Sequence, residues 1–176
     1  MVKTLHDGQF LKLLRDGHWE YVTRQNNAHG AAAMVAVTEA REIVLVEQYR
    51  IPLHARTIEL PAGIIGDAQD NRDESIESSA LRELLEETGY RGSVARVLCS
   101  GPTAPGLTSE FSNLVLVTGL KREHDCGGVE GEDITVHVVA LDQVHDWLEA
   151  QRGKGLLIEP RVYAGLYFVL AGKTEP

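Results

Sequence analysis

Three glutamates near the middle of the chain are spaced so that they can bind a metal ion together. Glu83, Glu86 and Glu87 stand at positions i, i+3 and i+4, which lie within an arc of about 100° on a helix of 3.6 residues per turn. Like charges at this spacing repel, and a helix C-terminus disfavours nearby negative charge. A divalent cation bound by carboxylate oxygen removes that repulsion. The spacing predicts a metal site, and a solvated acidic helix face is the alternative.

The residues around these glutamates strengthen the metal hypothesis. Arg82 stands four positions before Glu86, so that its guanidinium can orient that carboxylate from one turn away. Glu74 precedes Arg82 by eight positions, and Gly89 follows at the place of a left-handed C-terminal cap. We therefore predict a helix over residues 75–88, with apolar residues at helical spacing: Ile76, Ala80, Leu81, Leu84 and Leu85.

The rest of the chain predicts a mixed sheet between helices. Residues 10–15 and 19–24 flank Asp16-Gly17, a turn dipeptide, and predict an N-terminal β-hairpin. We expect an antiparallel strand pair at 31–37 and 43–48, and a loop over 63–73. Further strands are predicted at 57–60, 94–99, 111–118 and 134–141, and helices at 143–150 and 160–171. Because strands and helices do not alternate regularly, the predicted class is α/β with a mixed sheet.

Length and charge restrict the kind of protein. A chain of 176 residues with 43% hydrophobic residues suits one compact domain. Its net charge of −9 argues against a nucleic acid or a membrane as partner. Cys99 and Cys126 are too few for a disulfide framework or a zinc site. No apolar run has the length of a signal peptide or a membrane span, so we expect a cytoplasmic protein.

The spacing around the helix resembles the signature of a known family. Glu74, seven further residues, and then Arg-Glu-Leu-Leu-Glu-Glu-Thr-Gly-Tyr are similar to the signature of the Nudix hydrolases. The resemblance implies an α/β/α sandwich with the hairpin of residues 1–28 ahead of a hydrolase domain at 29–176. It also implies that Glu83, Glu86 and Glu87 bind Mg²⁺ or Mn²⁺, and that Glu86 and Arg82 take part in catalysis.

The loop before the helix departs from the family pattern. The family has five residues between the first glycine of the signature and the glutamate that Glu74 matches, whereas ten separate Gly63 from Glu74. We interpret the difference as a five-residue insertion, which costs little because closure entropy grows only logarithmically with loop length.

Further segments resemble the ADP-ribose pyrophosphatase branch of the family. They are Glu47-Gln48-Tyr49-Arg50, Ile58-Glu59-Leu60-Pro61-Ala62-Gly63, and a proline, Pro105, placed 16 positions after Gly89. The resemblance implies that the Ala62 carbonyl binds metal and that Glu59, Pro105 and Gly106 contact substrate. A Pro-Gly pair by itself mostly marks a turn.

The same resemblance assigns residues to the nucleoside and the phosphates. Phe10 and Trp19 match aromatics that stack on adenine, often one from each subunit of a homodimer, although both residues suit a buried core equally well. Arg24 and Arg50 match residues that contact the phosphates or the base, and a planar guanidinium suits phosphate. Surface arginines without a role are at least as common.

A glycine-rich acidic segment is the candidate source of the catalytic base. Residues 127–134 combine glycines with Glu130, Glu132 and Asp133 just before a predicted strand, and resemble the loop that delivers a glutamate to the attacking water. Glu130 and Glu132 both remain candidates, and an acidic loop without a role is the alternative.

Together these features predict metal-dependent hydrolysis of ADP-ribose to AMP and ribose 5-phosphate. The alternatives are other nucleoside diphosphate sugars, damaged nucleoside diphosphates, and a non-catalytic sensor that binds ADP-ribose. We expect a small-molecule nucleoside diphosphate as partner and a homodimer, which the sequence supports only by resemblance.

Overall fold

The computed structural model describes residues 1–25, 30–66, 74–124 and 133–173. Its first 24 residues form a three-stranded antiparallel sheet of β1 (Lys3–Asp7), β2 (Leu11–Asp16) and β3 (Trp19–Arg24). Asp16 pairs with Trp19, so the hairpin turn consists of Gly17 and His18, and Gly17 has a φ of +59° that favours glycine. The predicted hairpin is confirmed, with the turn one residue later than expected and with β1 in addition.

An eight-stranded mixed sheet forms the centre of the molecule. Its strands are β4 (Ala31–Val37), β5 (Glu42–Arg50), β6 (Ala55–Glu59), β7 (Ala62–Ile64), β9 (Val94–Pro102), β10 (Phe111–Thr118), β12 (Ile134–Ala140) and β13 (Leu157–Ile158). The order along the sheet is β13-β6-β5-β4-β10-β9, with β12 paired to β5 and β7 paired to β4. Two short strands, β8 (Tyr90–Arg91) and β11 (Lys121–Arg122), form a separate ribbon, and a 3-10 helix spans Ile51–Leu53.

Helices cover both faces of this sheet. On one face α1 (Ile76–Thr88) packs Ala80 and Leu84 against buried sheet residues such as Val115. On the other face α2 (Val144–Gly153) and α3 (Pro160–Leu170) pack Leu148 and Leu166 onto a second core. Each such leucine contributes about 1.5–3 kcal/mol through burial. The predicted α/β/α sandwich with a mixed sheet is confirmed.

The sheet opens beside α1, and this opening positions the functional residues. β4 and β5 pair only at Ala36↔Val44 and Val37↔Ile43. Further along, the same edge of β4 pairs with β7, through Ala33↔Ala62 and its neighbours. As a result the backbone of β7 lies next to α1. The loop predicted over residues 63–73 was wrong at its start, because Gly63 and Ile64 belong to β7; residues 67–73, where the insertion is expected, lie outside the described residues.

The remaining predicted elements are confirmed, with bounds that differ by a few residues. The β10 range agrees fully, while β9 extends three residues beyond the predicted strand. The short strands β8, β11 and β13 and the 3-10 helix were not predicted, because two or three residues are too few to show a period.

Candidate active site

The ends of α1 fix how its glutamates face the rest of the protein. Ser75 caps the N-terminus by accepting a hydrogen bond from the Ser78 backbone N–H at 3.1 Å. Gly89 ends the helix in the left-handed region, with a φ of +72°. With the apolar side of the helix buried in the core, the helix cannot rotate. The side that carries Glu83 and Glu87 therefore faces β7.

Arg82 gathers three of the carboxylates. Its Nη1 lies 2.9 Å from Glu83 Oε1 and 2.9 Å from Glu86 Oε2, and its Nη2 lies 3.2 Å from Glu74 Oε2. Burial lowers the pKa of the Arg82 guanidinium, but the hydrogen bond to Glu74 and the nearby carboxylates raise it above its usual value. The pairing of Arg82 with Glu86 expected from sequence is present. Glu74 joins the same group, so we call Glu74, Glu83, Glu86 and Glu87 with Arg82 the carboxylate cluster.

The backbone of β7 lies against the carboxylate cluster. Glu87 is buried, and its Oε2 accepts a hydrogen bond from the Ala62 backbone N–H at 3.0 Å. A Cβ added to Gly63 would overlap the carboxyl group of Glu83. Glycine at this position lets the strand approach the carboxylate directly. The candidate ligands of the metal site, the glutamates of α1 and the Ala62 peptide, are therefore neighbours.

The chemistry of these groups fits a hard divalent cation. Carboxylate and peptide oxygens are the ligands that Mg²⁺ and Mn²⁺ prefer, and in the cluster, as far as the structure describes it, four glutamates accompany one guanidinium. Among the residues that the structure describes, no three His, Cys, Asp or Glu side chains are arranged to hold a metal ion as they stand. The described contacts of the cluster are with protein donors, Arg82 and the Ala62 N–H. A bound cation would replace part of the charge neutralisation that these donors provide.

Arg24 and Arg50 line a cavity of about 600 Å³, which we call the arginine cavity. Arg50 donates from Nε to Glu59 Oε1 at 2.7 Å and from Nη2 to Glu59 Oε2 at 2.5 Å. The charge of Glu87 also raises the pKa of Arg50, after the larger effect of the hydrogen bond to Glu59. Glu59 ends β6 only three positions before Ala62 of β7, so this part of the cavity lies close to the carboxylate cluster.

Glu59 lines the same cavity and holds Arg50 in place. Its side chain is only 4% exposed and also accepts a hydrogen bond from the Thr57 hydroxyl at 2.5 Å. Burial by itself would raise the pKa of Glu59, but the hydrogen bonds from Arg50 and Thr57 lower it below its ordinary value. In the structure Glu59 thus orients Arg50. The contact of Glu59 with substrate stays a prediction.

Trp19, Pro105 and Gly106 meet in a second cavity of about 340 Å³, the Trp19 cavity. The turn that holds Pro105 and Gly106 is attached to β3, because Val22 N donates to Leu107 O at 2.8 Å and Ser109 N donates to Val22 O at 3.2 Å. Side chains alternate along a strand, so Trp19 and Arg24 point to opposite faces of β3. Apart from Phe10, which lines neither of these cavities, the predicted substrate residues are therefore divided between two cavities within one chain.

The two predicted stacking residues, Phe10 and Trp19, are exposed rather than part of a core. Phe10 is 69% exposed and Trp19 is 56% exposed. The alternative left open from the sequence, that both residues pack in a core, is therefore wrong. An exposed ring on a two-sided sheet is available to stack on a ligand or on another chain.

The two candidate bases, Glu130 and Glu132, lie outside the described residues. The next residue in the chain, Asp133, is described, and its Oδ2 lies 2.6 Å from Arg56 Nη1. Arg56 also pairs with Glu47 at 2.5 Å, and Glu47 accepts a contact from His137 Nε2 at 3.0 Å. This network ties the start of β12 to β5 and β6.

Sequence reasoning missed the third arginine of the arginine cavity. Arg161 and Glu159 line it together with Arg24 and Arg50. The sequence shows only that Pro160 begins a helix. It contains no signal that the start of α3 lies beside residues more than a hundred positions earlier.

Comparison with known proteins agrees with this geometry. The NUDIX domain family model matches residues 28–157. A "methanol dehydrogenase activator" from Bacillus methanolicus is 36% identical over 124 residues, 70% of this chain and 64% of that protein. An "ADP-ribose pyrophosphatase" from Bacillus subtilis is 35% identical over 127 residues, 69% of this chain and 64% of that protein. The chain thus spans less than two thirds of either relative.

A solved structure has the same fold. The structure titled "Crystal structure of ADP compounds hydrolase" superposes with a TM-score of 0.74, covering 99% of this chain and 94% of that chain at 21% identity. The fold class of the protein is defined by a mixed sheet between helices, with a carboxylate-bearing helix where the sheet opens. The chain belongs to the Nudix family. Among the described residues, no helix is long and apolar enough to cross a membrane.

Proposed function

We propose that this protein hydrolyses ADP-ribose to AMP and ribose 5-phosphate with Mg²⁺ or Mn²⁺ as cofactor. The observation that carries the proposal is the carboxylate cluster. Arg82 draws Glu74, Glu83 and Glu86 together, next to the backbone of Ala62 and Gly63. Such a concentration of negative charge opposes folding unless a cation neutralises it.

Glu83, Glu86, Glu87 and the Ala62 carbonyl would hold the metal. When bound, the metal would neutralise the pyrophosphate and increase the acidity of the attacking water. Arg82 keeps the carboxylates in place. Glu130 or Glu132 would accept the proton of the water as its oxygen bonds to one phosphorus. The bridging oxygen then leaves with the other phosphoryl group, which yields AMP and ribose 5-phosphate.

The choice of ADP-ribose within the class rests on the cavities and on the relatives. Arg24 and Arg50 line one cavity, where their planar guanidinium groups can donate hydrogen bonds to the substrate. Trp19, with Pro105 and Gly106 beside it, offers a surface for the adenine. The printed names of the Bacillus subtilis relative and of the solved structure both refer to ADP compounds.

A homodimer would explain why the predicted substrate residues face two cavities. In a two-fold assembly, the exposed Trp19 or Phe10 of one subunit can meet the arginine cavity of the other. The same proposal assigns residues 1–28 to a substrate and dimer element and residues 29–176 to the hydrolase domain. It also includes a cytoplasmic location. Light scattering coupled to gel filtration measures the assembly: a mass of two chains supports the dimer, and a mass of one chain refutes it.

The Bacillus methanolicus relative favours a second candidate, regulation of a partner enzyme. Its printed name, "methanol dehydrogenase activator", describes an effect on another protein. A sensor without activity needs no metal ligands, whereas this chain keeps a glutamate at each of the three positions on α1. Catalysis is therefore the first candidate.

The test is turnover of a substrate panel by the purified protein with Mg²⁺ and with Mn²⁺. The panel contains ADP-ribose, ADP-glucose, GDP-mannose, UDP-glucose, NADH, diadenosine polyphosphate and 8-oxo-dGDP, with products separated by chromatography. We expect ADP-ribose to lead by about tenfold or more in kcat/KM, with AMP and ribose 5-phosphate in equal amounts.

Two other results would change the proposal. If a different nucleoside diphosphate leads, the metal chemistry stands and the assignment to ADP-ribose is wrong. If no compound is hydrolysed but ADP-ribose binds, the regulatory candidate replaces the catalytic one.

A further inference from the structure

The three guanidinium groups of the arginine cavity share one arrangement. Each is held through Nε by a carboxylate: Arg24 by Glu110, Arg50 by Glu59, and Arg161 by Glu159. A carboxylate on the Nε side fixes the plane of the guanidinium and leaves other N–H donors for a ligand. Arg161 repeats the geometry of two residues that the proposed function already assigns to the substrate.

The contacts of Arg161 fix its side chain. Its Nε donates to Glu159 Oε1 at 2.9 Å, and its Nη1 lies 3.4 Å from the Ser112 hydroxyl. In the described part of the chain, no hydrogen bond uses Nη2 of Arg161. The side chain is 24% exposed, compared with 40% for Arg50 and 37% for Arg24. Arg161 is therefore the most shielded of the three.

The position of Arg161 in α3 is unfavourable without a further role. It stands in the first turn of α3, where the helix dipole disfavours a positive charge. The N-cap does not need the guanidinium, because Glu159 Oε2 accepts from the Arg161 backbone N–H at 3.1 Å. A local rule broken beside a cavity is a feature of functional residues.

The charges around Arg161 select the chemical nature of its ligand. Glu159 neutralises Arg161 directly, and Glu59 does the same for Arg50 on the adjoining wall. A wall of paired charges presents hydrogen-bond donors and acceptors without a net field, unlike the carboxylate cluster. Such a wall suits an uncharged, hydroxyl-bearing group better than a phosphate.

We propose that Arg161, held by Glu159, is a specificity-determining residue that donates a hydrogen bond to an uncharged hydroxyl-bearing part, a ribose, of the nucleoside diphosphate substrate. The inference rests on the proposed function, because it concerns the same substrate. It adds a third arginine to the site and separates its task from that of the metal ligands, since Arg161 binds the part of the substrate that does not react.

The experiment compares Arg161→Ala and Arg161→Lys with the unaltered protein. Arg152→Ala is the matched control, because Arg152 also pairs with a glutamate, Glu149 at 3.3 Å, but lies on α2 outside the cavity. Calorimetry with ADP-ribose in the presence of EDTA gives Kd without turnover, and steady-state kinetics with Mg²⁺ gives KM and kcat. Thermal unfolding verifies that each variant is folded.

We expect Arg161→Ala to raise Kd and KM about tenfold, with the loss in these constants rather than in kcat. Arg161→Lys keeps a donor but not the planar fork, so its Kd and KM should lie between those of Arg161→Ala and those of the unaltered protein. It serves as the test if the alanine variant does not fold. Arg152→Ala should match the unaltered protein. The ratio of Kd between variant and unaltered protein should be the same at low and high ionic strength, because the contact is to an uncharged group.

Three outcomes would overturn the inference. A Kd within twofold of the unaltered protein would show that Arg161 does not contact the substrate. A loss confined to kcat would place it with the reacting groups. A ratio that shrinks with added salt would show that it binds phosphate. In each case the unaltered protein still hydrolyses ADP-ribose, whereas an unaltered protein that neither binds nor hydrolyses ADP-ribose refutes the proposed function itself.

Discussion

On α1 a single guanidinium is shared by several carboxylates, whereas in the arginine cavity every guanidinium has a carboxylate of its own. Arg82 contacts Glu74, Glu83 and Glu86, while Arg50 pairs with Glu59 and Arg161 with Glu159. The first arrangement has an excess of negative charge, which a bound cation would neutralise. The second is balanced and offers oriented hydrogen bonds. The two regions can therefore divide the work, with reaction at the first and recognition at the second.

The largest effect is expected from Glu86→Gln, which removes one charge from the carboxylate cluster. Glu86 is a proposed metal ligand, so its replacement should lower kcat/KM about a thousandfold, since electrostatic stabilisation by a metal is worth several kcal/mol. The unfolding temperature should change little or rise, because the removed charge repels its neighbours. Glu77→Gln, on the first turn of the same helix, is the control. Activity of Glu86→Gln within tenfold of the unaltered protein would remove Glu86 from the metal site.

Gly63→Ala tests whether the approach of β7 to the cluster matters. The added methyl group would overlap the Glu83 carboxylate and displace it, so kcat/KM should fall about a hundredfold, the usual result of a misplaced catalytic group. Gly101→Ala is a matched control on another strand, because a Cβ there meets no atom within 4 Å. Equal kinetics for the two variants would show that Glu83 need not touch β7.

Trp19→Ala asks whether recognition extends beyond the arginine cavity. Trp19 is half exposed, so its removal should change the free energy of unfolding by less than about 0.5 kcal/mol. If the ring stacks on the base, KM for ADP-ribose should rise about tenfold, since stacking of a base on an aromatic ring is worth about 1–3 kcal/mol. Tyr167→Ala, an exposed aromatic on α3, is the control. An unchanged KM would restrict recognition to the arginine cavity.

The smallest effect is expected from Glu59→Gln, which should lower the free energy of unfolding. The pKa of Glu59 is lowered in the folded protein by Arg50 and Thr57 against the effect of burial. The pair therefore stabilises the fold above the pKa of a glutamate in the unfolded chain, and this contribution is lost as the pH falls through the lower folded pKa.

At neutral pH the free energy of unfolding of Glu59→Gln should be about 1–2 kcal/mol lower than that of the unaltered protein. The loss is this small because Arg50 remains partly solvated. Urea unfolding at several pH values measures the difference, which should disappear at acidic pH. A difference that is the same at all pH values would mean that the ion pair does not stabilise the fold.

The carboxylate cluster is predictable from sequence because it is local. Glu83, Glu86 and Glu87 are neighbours on one helix, so their common face follows from helical spacing alone, and Gly89 shows where the helix ends. The helices and longer strands are predictable for the same reason. The resemblance to the Nudix signature then supplied the sandwich fold.

The arginine cavity is not predictable in the same way because its parts meet only through tertiary structure. Arg24, Arg50 and Arg161 come from β3, β5 and α3, and no periodic pattern connects them. The sequence also does not show that Trp19 and Arg24 face different cavities, which depends on how the 103–110 segment docks on β3. The burial of Glu59, and hence its role in holding Arg50, likewise follows from packing.

The measurement that tests the central claim most directly is a titration with Mn²⁺, followed by electron paramagnetic resonance, without substrate. The excess of carboxylates over cations on α1 predicts saturable Mn²⁺ binding by the unaltered protein, competition by Mg²⁺, and an affinity at least about tenfold weaker in Glu86→Gln. Equal Mn²⁺ binding by the two proteins, or no binding by either, would contradict the assignment of the carboxylate cluster as the metal site.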